Sequence, residues 1–352
     1  NKRASPIVNS TGMGHSVITS AQCCTWVFAT AENDAIEAGE EVQMKIVHDS
    51  PHKLRRSRVV PVSVVLVGAA LLAGTGTVAF AAPSRAAHAA VTIPTPRKDP
   101  KVAALVPASI KKRGYVSAAM DASYPPDEFV AANGTTIIGM DADFNAALGA
   151  VMGVKWKAVN TIFSTIILGL GAGKYDVGNS SFTVNKKRER QVNFVTYFKA
   201  GEGFYVEKSS SLRLNGLMSL CGHSVSVEIG TTEQTDAQDT VATCKKAHRT
   251  PDTVSSFETQ LQANLAVSSG RAQIGFADSQ VAGYIVSQSK GLFKLDGPAF
   301  GVAPYGFAFS KSSTLDKATL AAVRDLMKDG IYKKILDKWG VRAGAITNPA
   351  IV

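Results

Sequence analysis

The chain has 352 residues, 45% of them hydrophobic and 19% charged, a balance that excludes a disordered chain and allows one large domain or two lobes with cores of their own. The formal net charge is +10, yet the Lys and Arg residues are scattered. Zinc spacings, aromatic RNA-binding signatures and a long basic arm are all missing, so nucleic acid is not an expected partner.

Residues 1–43 carry Cys23, Cys24 and several acids without a periodic pattern, and read as a doubtful N-terminal extension. Met44 reads as a fresh start. Lys53, Arg55, Arg56 and Arg58 precede an uncharged run over 59–84, the order of a basic n-region and an apolar h-region. Residues 44–90 are therefore expected to be a signal peptide, cut after small residues near Ala81 or Ala89, or else an uncleaved anchor. Leu72-Ala73-Gly74 is followed by Thr75, where lipidated surface proteins carry a cysteine, so no lipid anchor of that type is expected. Export implies an oxidising compartment. Cys221 and Cys244 then form one disulfide or remain two unrelated buried thiols; His223 and His248 complete no zinc set with them. Residues 91–106 read as a linker.

From Ile110 short strands alternate with helices, which predicts a sheet with helices on its faces. A strand is expected over 115–120, a hairpin over 129–138 around Asn133-Gly134, and a helix over 141–152 with Asp141 as its N-cap. A strand at 154–159, a helix at 163–170 and a strand at 175–177 follow. Extended segments at 194–197 and 203–206 flank an expected Gly201-Glu202-Gly203 turn. A second set comprises a strand at 224–227, a helix start with hydroxyl caps at Thr231 and Thr232, a helix at 257–267, a strand at 274–277 and a helix at 279–287. The chain crosses back at 300–304 and ends in a strand at 305–309 and helices at 315–327 and 331–339.

This order predicts an α/β fold of two lobes joined by two chain crossings: lobe 1 from 107–202 and 304–345, lobe 2 from 203–303. Ligands in such sheets gather beyond the C-terminal strand ends, where Asp121, Ser180, Thr232 and Asp278 fall. The stretch 174–194 passes from a strand through Ser180, Ser181 and Thr183 into a basic turn carrying Arg188. Hydroxyls, backbone N–H groups and an arginine fork there suit a carboxylate; an ordinary strand-to-helix loop with a solvated basic face would look similar.

Five elements in this order resemble the extracytoplasmic solute-binding proteins, family 3, that feed amino acids to ABC importers. They are Asp121-Ala122-Ser123-Tyr124-Pro125-Pro126, Gly139-Met140-Asp141-Ala142-Asp143-Phe144, Gly173-Lys174-Tyr175-Asp176 with Ser180 to Arg188, Gly230-Thr231-Thr232, and Ala277-Asp278. The closing Asp329-Gly330-Ile331-Tyr332 and Lys338-Trp339-Gly340 fit as well. The resemblance implies the type II periplasmic-binding fold with a two-stranded hinge, no cofactor, and a monomer that meets a membrane permease. It implies that Arg188 pairs with a ligand α-carboxylate, helped by Ser181, Thr183 and the N–H of Thr232. Asp278 takes the α-ammonium, Tyr124 and Phe163 sandwich the side chain, and Asp121 lines the pocket. A free amino acid carries both charges, so the site needs both signs. Asp141 and Asp143 read as a cap and a helix-face residue rather than ligands. Where the family often has Pro-Phe-Glu, this chain has Pro126-Asp127-Glu128, and Glu233 stands where a polar amide is usual. With Asp121, Asp127 and Glu233 near the pocket, a polar or basic amino acid is expected. The competing expectation is an enzyme on the same fold, such as a cyclohexadienyl dehydratase, which would need a positioned general acid.

Overall fold

A computed structural model describes residues 91–352; the extension, the signal segment and Thr75 lie outside the described residues. In chain order the strands are β1 (Tyr115–Met120), β2 (Ser123–Tyr124), β3 (Glu128–Val130), β4 (Ile137–Ile138), β5 (Lys155–Asn160), β6 (Val177–Gly178), β7 (Val192–Glu207), β8 (Ser224–Glu228), β9 (Thr253–Phe257), β10 (Ile274–Asp278), β11 (Phe293–Leu295) and β12 (Phe300–Ser310). The helices are α1 (Pro100–Leu105), α2 (Ala108–Arg113), α3 (Met140–Met152), α4 (Ile166–Gly171), α5 (Lys186–Glu189), α6 (Thr232–Lys246), α7 (Gln260–Ser268), α8 (Ser279–Gln288), α9 (Leu315–Lys328) and α10 (Ile331–Trp339).

One sheet runs β5-β1-β6-β12-β7-β10-β8-β9, with β11 added on β7. Its two ends are parallel triplets, β5-β1-β6 and β10-β8-β9. Between them β12 and β7 run antiparallel and carry the chain from one lobe to the other. Parallel strands need helical crossovers, and these supply the layers on each lobe. On lobe 1, Tyr197 of β7 and Phe307 of β12 stack with centroids 4.1 Å apart, and Phe144 of α3 meets both rings edge-on. Tyr332 of α10 closes on Phe144 at 5.8 Å. On lobe 2, Phe204, Phe276 and Phe300 do the equivalent work.

The crossing differs from the expected turn. Gly201-Glu202-Gly203 lies inside the single extended strand β7. A Cβ on Gly201 would stand 2.6 Å from the Phe300 carbonyl oxygen, and one on Gly203 would stand 3.3 Å from Ser279. The glycines let β12 and α8 approach the backbone; they do not bend it. The linker expected over 91–106 is also corrected. Asp99 caps α1 by accepting from the N–H groups of Lys101 and Val102, and Pro100 occupies the first helical position. Val102 and Val106 are buried in the lobe 1 core, so this segment is part of the fold. The strand β9 was not expected; it shares only Phe257 with the helix expected over 257–267, and that helix, α7, starts at Gln260. Beyond the expected end of lobe 1, Phe194 and Val352 exchange both backbone hydrogen bonds, so the C-terminal tail covers an edge of β7.

Cys221 and Cys244 are bonded, pinning α6 to the loop before β8 across a separation of 23 residues. Loop-closure entropy gives such a bridge about 3 kcal/mol. Replacing both cysteines with serine should lower the unfolding free energy, read from urea titration, by that amount; an unchanged value would mean that packing alone holds the loop.

Candidate functional site

The strand ends of the two triplets face one another, and a cavity lies between them. It is lined by all ten expected ligand residues: Asp121, Tyr124, Phe163, Ser180, Ser181, Thr183 and Arg188 from lobe 1, and Thr232, Glu233 and Asp278 from lobe 2. Glu128, Glu228 and Thr231 line it too.

Arg188 sits on the short helix α5, capped by Asn185, whose side chain accepts from the Arg188 N–H at 2.9 Å. Its guanidinium is buried and bridges the lobes. Nη1 donates to the Thr183 carbonyl at 2.8 Å and Nη2 to the Gly230 carbonyl at 3.0 Å. Two of five N–H donors are thereby anchored, and the fork keeps donors for an anion. The rings of Phe163 and Phe182, stacked 4.6 Å apart, lie 5.3 and 5.4 Å from the guanidinium carbon. Gly230 makes this approach possible: its φ is +87°, and a Cβ there would meet Ser164 at 2.9 Å. Beside the fork, Thr231 caps α6 by accepting from the Gln234 N–H, leaving the first-turn N–H of Thr232 free for an anion. The Thr183 and Thr232 hydroxyls stand 3.5 Å apart across the lobes.

Opposite the fork, Asp278 closes β10. Its carboxylate accepts from the Tyr124 hydroxyl at 2.8 Å, and its backbone N–H donates to the same oxygen at 3.1 Å. Tyr124 belongs to lobe 1 by sequence but packs among the lobe 2 core residues, including Tyr205 and Val281. Asp121 anchors the 3-10 turn that begins at Phe163 by accepting its N–H at 2.9 Å.

The serines take a different task from the one the resemblance implied. Ser180 Oγ donates to Glu128 at 2.7 Å, and Ser181 Oγ donates to Asp127 at 2.9 Å. Both hydroxyl protons are thus directed to buried acids. Asp141 is corrected as well. Gly139 occupies the cap position, and the buried Asp141 carboxylate accepts from the Tyr197 hydroxyl at 2.7 Å and the Ser181 N–H at 3.1 Å. It holds the Ser181 backbone at φ +48°. Asp143 is a helix-face residue, paired with Lys338 and Trp339.

Electrostatically the site is lopsided. Five carboxyl side chains line the cavity, and Arg188 is the basic residue that lines it. Burial is the main cause pushing their pKa values up, and repulsion from neighbouring acids adds to it for Glu128, Glu228 and Glu233. Glu228 and Glu233 lie well above the usual carboxylate range, and Asp278 is pushed up to about 6. Around them, burial raises Asp127 and Glu128 well above that range, Asp141 to about 6, and Glu202 on the crossing strand to about 8. Glu228 Oε1 and Glu233 Oε1 are buried without a hydrogen-bond partner. Such oxygens want donors or positive charge.

The pH consequence follows from the sign of these shifts. A carboxyl raised above its unfolded value keeps its proton in the folded chain while the unfolded chain is already ionised. Its stabilisation is complete below about pH 4 and is lost as pH rises through the folded value. The unliganded protein should therefore lose stability as pH rises from about 4 through about 6, where the folded chain must ionise Asp278. Urea midpoints at pH 5 and 8 measure it, and a higher midpoint at pH 8 would contradict it.

Among the missed residues, Glu228 had a readable signal. Ser224-Val225-Ser226-Val227-Glu228 alternates, and Glu228 ends a parallel strand as Asp278 does. Glu128 had none, because its strand is three residues long.

Two lobes, a paired-strand hinge and an interlobe cavity bearing a fixed cation and surplus acids define a ligand-binding clam shell. The model of the bacterial extracellular solute-binding proteins, family 3, matches residues 116–342, and the chain belongs to that family. The chain is 32% identical over 253 residues to the arginine-binding protein ArgT of Corynebacterium glutamicum, covering 72% of this chain and 83% of that one. Among solved structures it resembles an ancestral arginine-binding protein bound to arginine, with TM-score 0.59 and 31% identity over 64% of this chain and 98% of that one. It also resembles the ancestral amino acid-binding protein AncCDT-1, a precursor of cyclohexadienyl dehydratase, with TM-score 0.59 and 30% identity over 66% of this chain and 97% of that one. Among the described residues no helix is long and apolar enough to cross a membrane.

Proposed function

We propose that this protein captures a free basic amino acid outside the cytoplasmic membrane and presents it to an ABC permease. The observation that carries this reading is the charge pattern of the cavity. Arg188 and the Thr232 N–H receive an α-carboxylate, Asp278 with Glu233 receives the α-ammonium, and a surplus of buried carboxyls remains. A neutral amino acid would leave that surplus unanswered; a second positive charge on the side chain answers it. The names of the relatives support the same class, since they bind arginine. The expected cradle of Tyr124 and Phe163 belongs to this reading, with both rings on the cavity wall. Binding draws the lobes together because the carboxylate site is built from both: Thr183 and Arg188 on one side, Gly230 and Thr232 on the other.

A second reading is catalysis on the same fold. It draws on the acids that hold protons in the cavity, since a general acid must be protonated at working pH, and on the likeness to AncCDT-1. Isothermal titration calorimetry with arginine, lysine, histidine, glutamine and glutamate separates the two. Micromolar or tighter binding of arginine or lysine and none of glutamate is expected. No heat with any amino acid, together with turnover of prephenate or arogenate, would overturn the transport reading.

A further inference from the structure

Asp127 is the departure from the Pro-Phe-Glu pattern, and it stands outside the lining of the ligand cavity. Its backbone belongs to lobe 1, where its carbonyl accepts the Asp141 N–H at 2.8 Å. Its carboxyl group reaches lobe 2. Oδ2 accepts from Nε2 of Gln280, in the first turn of α8, at 2.8 Å, and the same nitrogen donates to the Tyr305 hydroxyl at 2.8 Å. Ser181 Oγ donates to that oxygen too, at 2.9 Å. Ser181 lies two residues before Thr183, and Gln280 two residues after Asp278. Asp127 and Gln280 thus join the carboxylate and ammonium arms of the site from outside the cavity. The join is acidic and holds no cation. Asp127, Glu128 and Asp141 are buried, and Asp127 and Glu128 share the Ser181 hydroxyl. Among the described residues, no Lys or Arg is ion-paired with any of the three. The titratable groups facing Asp127 are Glu128 of β3, Asp141 at the start of α3, Asp278 of β10, Tyr197 of β7 and Tyr305 of β12. Asp127 Oδ1 is buried without a hydrogen-bond partner.

Resting on the reading that the lobes close on an amino acid, we propose that Asp127 and Gln280 form a latch between the lobes that shuts as the buried acids take up a proton. Carboxylates crowded out of water with no cation to answer them repel one another, so the closed cluster keeps protons. Opening draws α8 away from Asp127 and admits water, and the carboxyl then ionises in its ordinary range. Closing reverses both steps, and the proton comes from solvent. A proton bound on closure favours the closed protein at low pH. Closure weakens as pH rises, by about tenfold per pH unit at most for one proton. An acidic exterior therefore favours capture.

The test counts protons. Calorimetry on the full chain at pH 7, in buffers of different ionisation enthalpy, measures the protons taken up as arginine, or the tightest binder among the five amino acids named above, is bound. The wild type should take up about one proton more than Asp127→Asn, which keeps the shape and an acceptor for Gln280 but cannot ionise. Asp127→Phe, which restores the Pro-Phe-Glu pattern, carries the same count should Asp127→Asn fail to fold. Gln280→Met keeps the length and loses the donor, and should weaken every amino acid that binds by a similar factor, about 3- to 10-fold. Equal proton counts in the wild type and a folded Asp127 variant overturn the latch and leave the transport reading intact. If no amino acid binds, the transport reading falls, and hydrogen exchange on the unliganded chain decides the latch. Segments 124–130 and 278–285, corrected for the chemical exchange rate, should be better protected at pH 5 than at pH 8 in the wild type and equally protected in Asp127→Asn. The same pH dependence in both proteins overturns the latch.

Discussion

Replacing Arg188 with alanine should weaken amino-acid binding at least about 1,000-fold, the equivalent of about 4 kcal/mol. The size follows from isolation. Arg188 is the basic side chain lining a cavity that five carboxyl groups share. Without it, a ligand carboxylate would enter a buried space facing Asp278 and Glu233 with only backbone and hydroxyl donors to meet it. Truncating one partner of a buried charge pair typically costs 2–5 kcal/mol. The fork also ties Thr183 to Gly230, so the variant loses a link that holds the lobes together. Arg188→Lys keeps the charge but not the fork, and should recover only part of the loss. Calorimetry with a melting curve on each variant reads both effects. Binding of Arg188→Ala within tenfold of the wild type would mean that the carboxylate sits elsewhere.

Asp278→Asn is expected to separate function from stability. The ligand ammonium loses its ionised partner, and affinity should fall about 100- to 1,000-fold, or about 3–4 kcal/mol. The fold should gain at pH 8. Asp278 is buried, and desolvation pushes its pKa up to about 6 even though the Tyr305 and Tyr124 hydroxyls and Arg188 favour its charged form. Asparagine preserves the shape and the oxygen that accepts from Tyr124 while removing that charge. A variant that binds poorly and melts higher is the mark of a site whose charge is kept for a ligand at a cost in stability. If the variant melts lower at pH 8 than the wild type, the carboxylate contributes to the fold instead.

The parts of the fold with strong periodicity were legible. Alternating strands and helices over 115–340 led to two lobes, and strand ends led to Asp121, Ser180, Thr232 and Asp278, which line one cavity. What could not be read were interactions set by tertiary contact. Gly201 and Gly203 have the composition of a turn, yet they serve close strand and helix packing. Asp141 has the position of a cap, yet its carboxylate reaches back to Ser181 and Tyr197. Ser180 and Ser181 have the right type for an anion site, but the acids Glu128 and Asp127 take their protons. Hydrogen-bond direction depends on which neighbour is nearest in space, and a sequence does not carry that. Pro100 and Asp99, by contrast, gave a standard helix start within the expected linker.

In the proposed binding mode one amino acid spans the cavity with its carboxylate on Arg188 and its ammonium on Asp278. A crystal structure of the protein grown with arginine tests this most directly. The expected result is the ligand carboxylate within hydrogen-bond distance of the Arg188 guanidinium and the Thr232 N–H, and the α-ammonium at Asp278. A ligand bound in the reverse sense, or outside the cavity between the two parallel triplets, would contradict it.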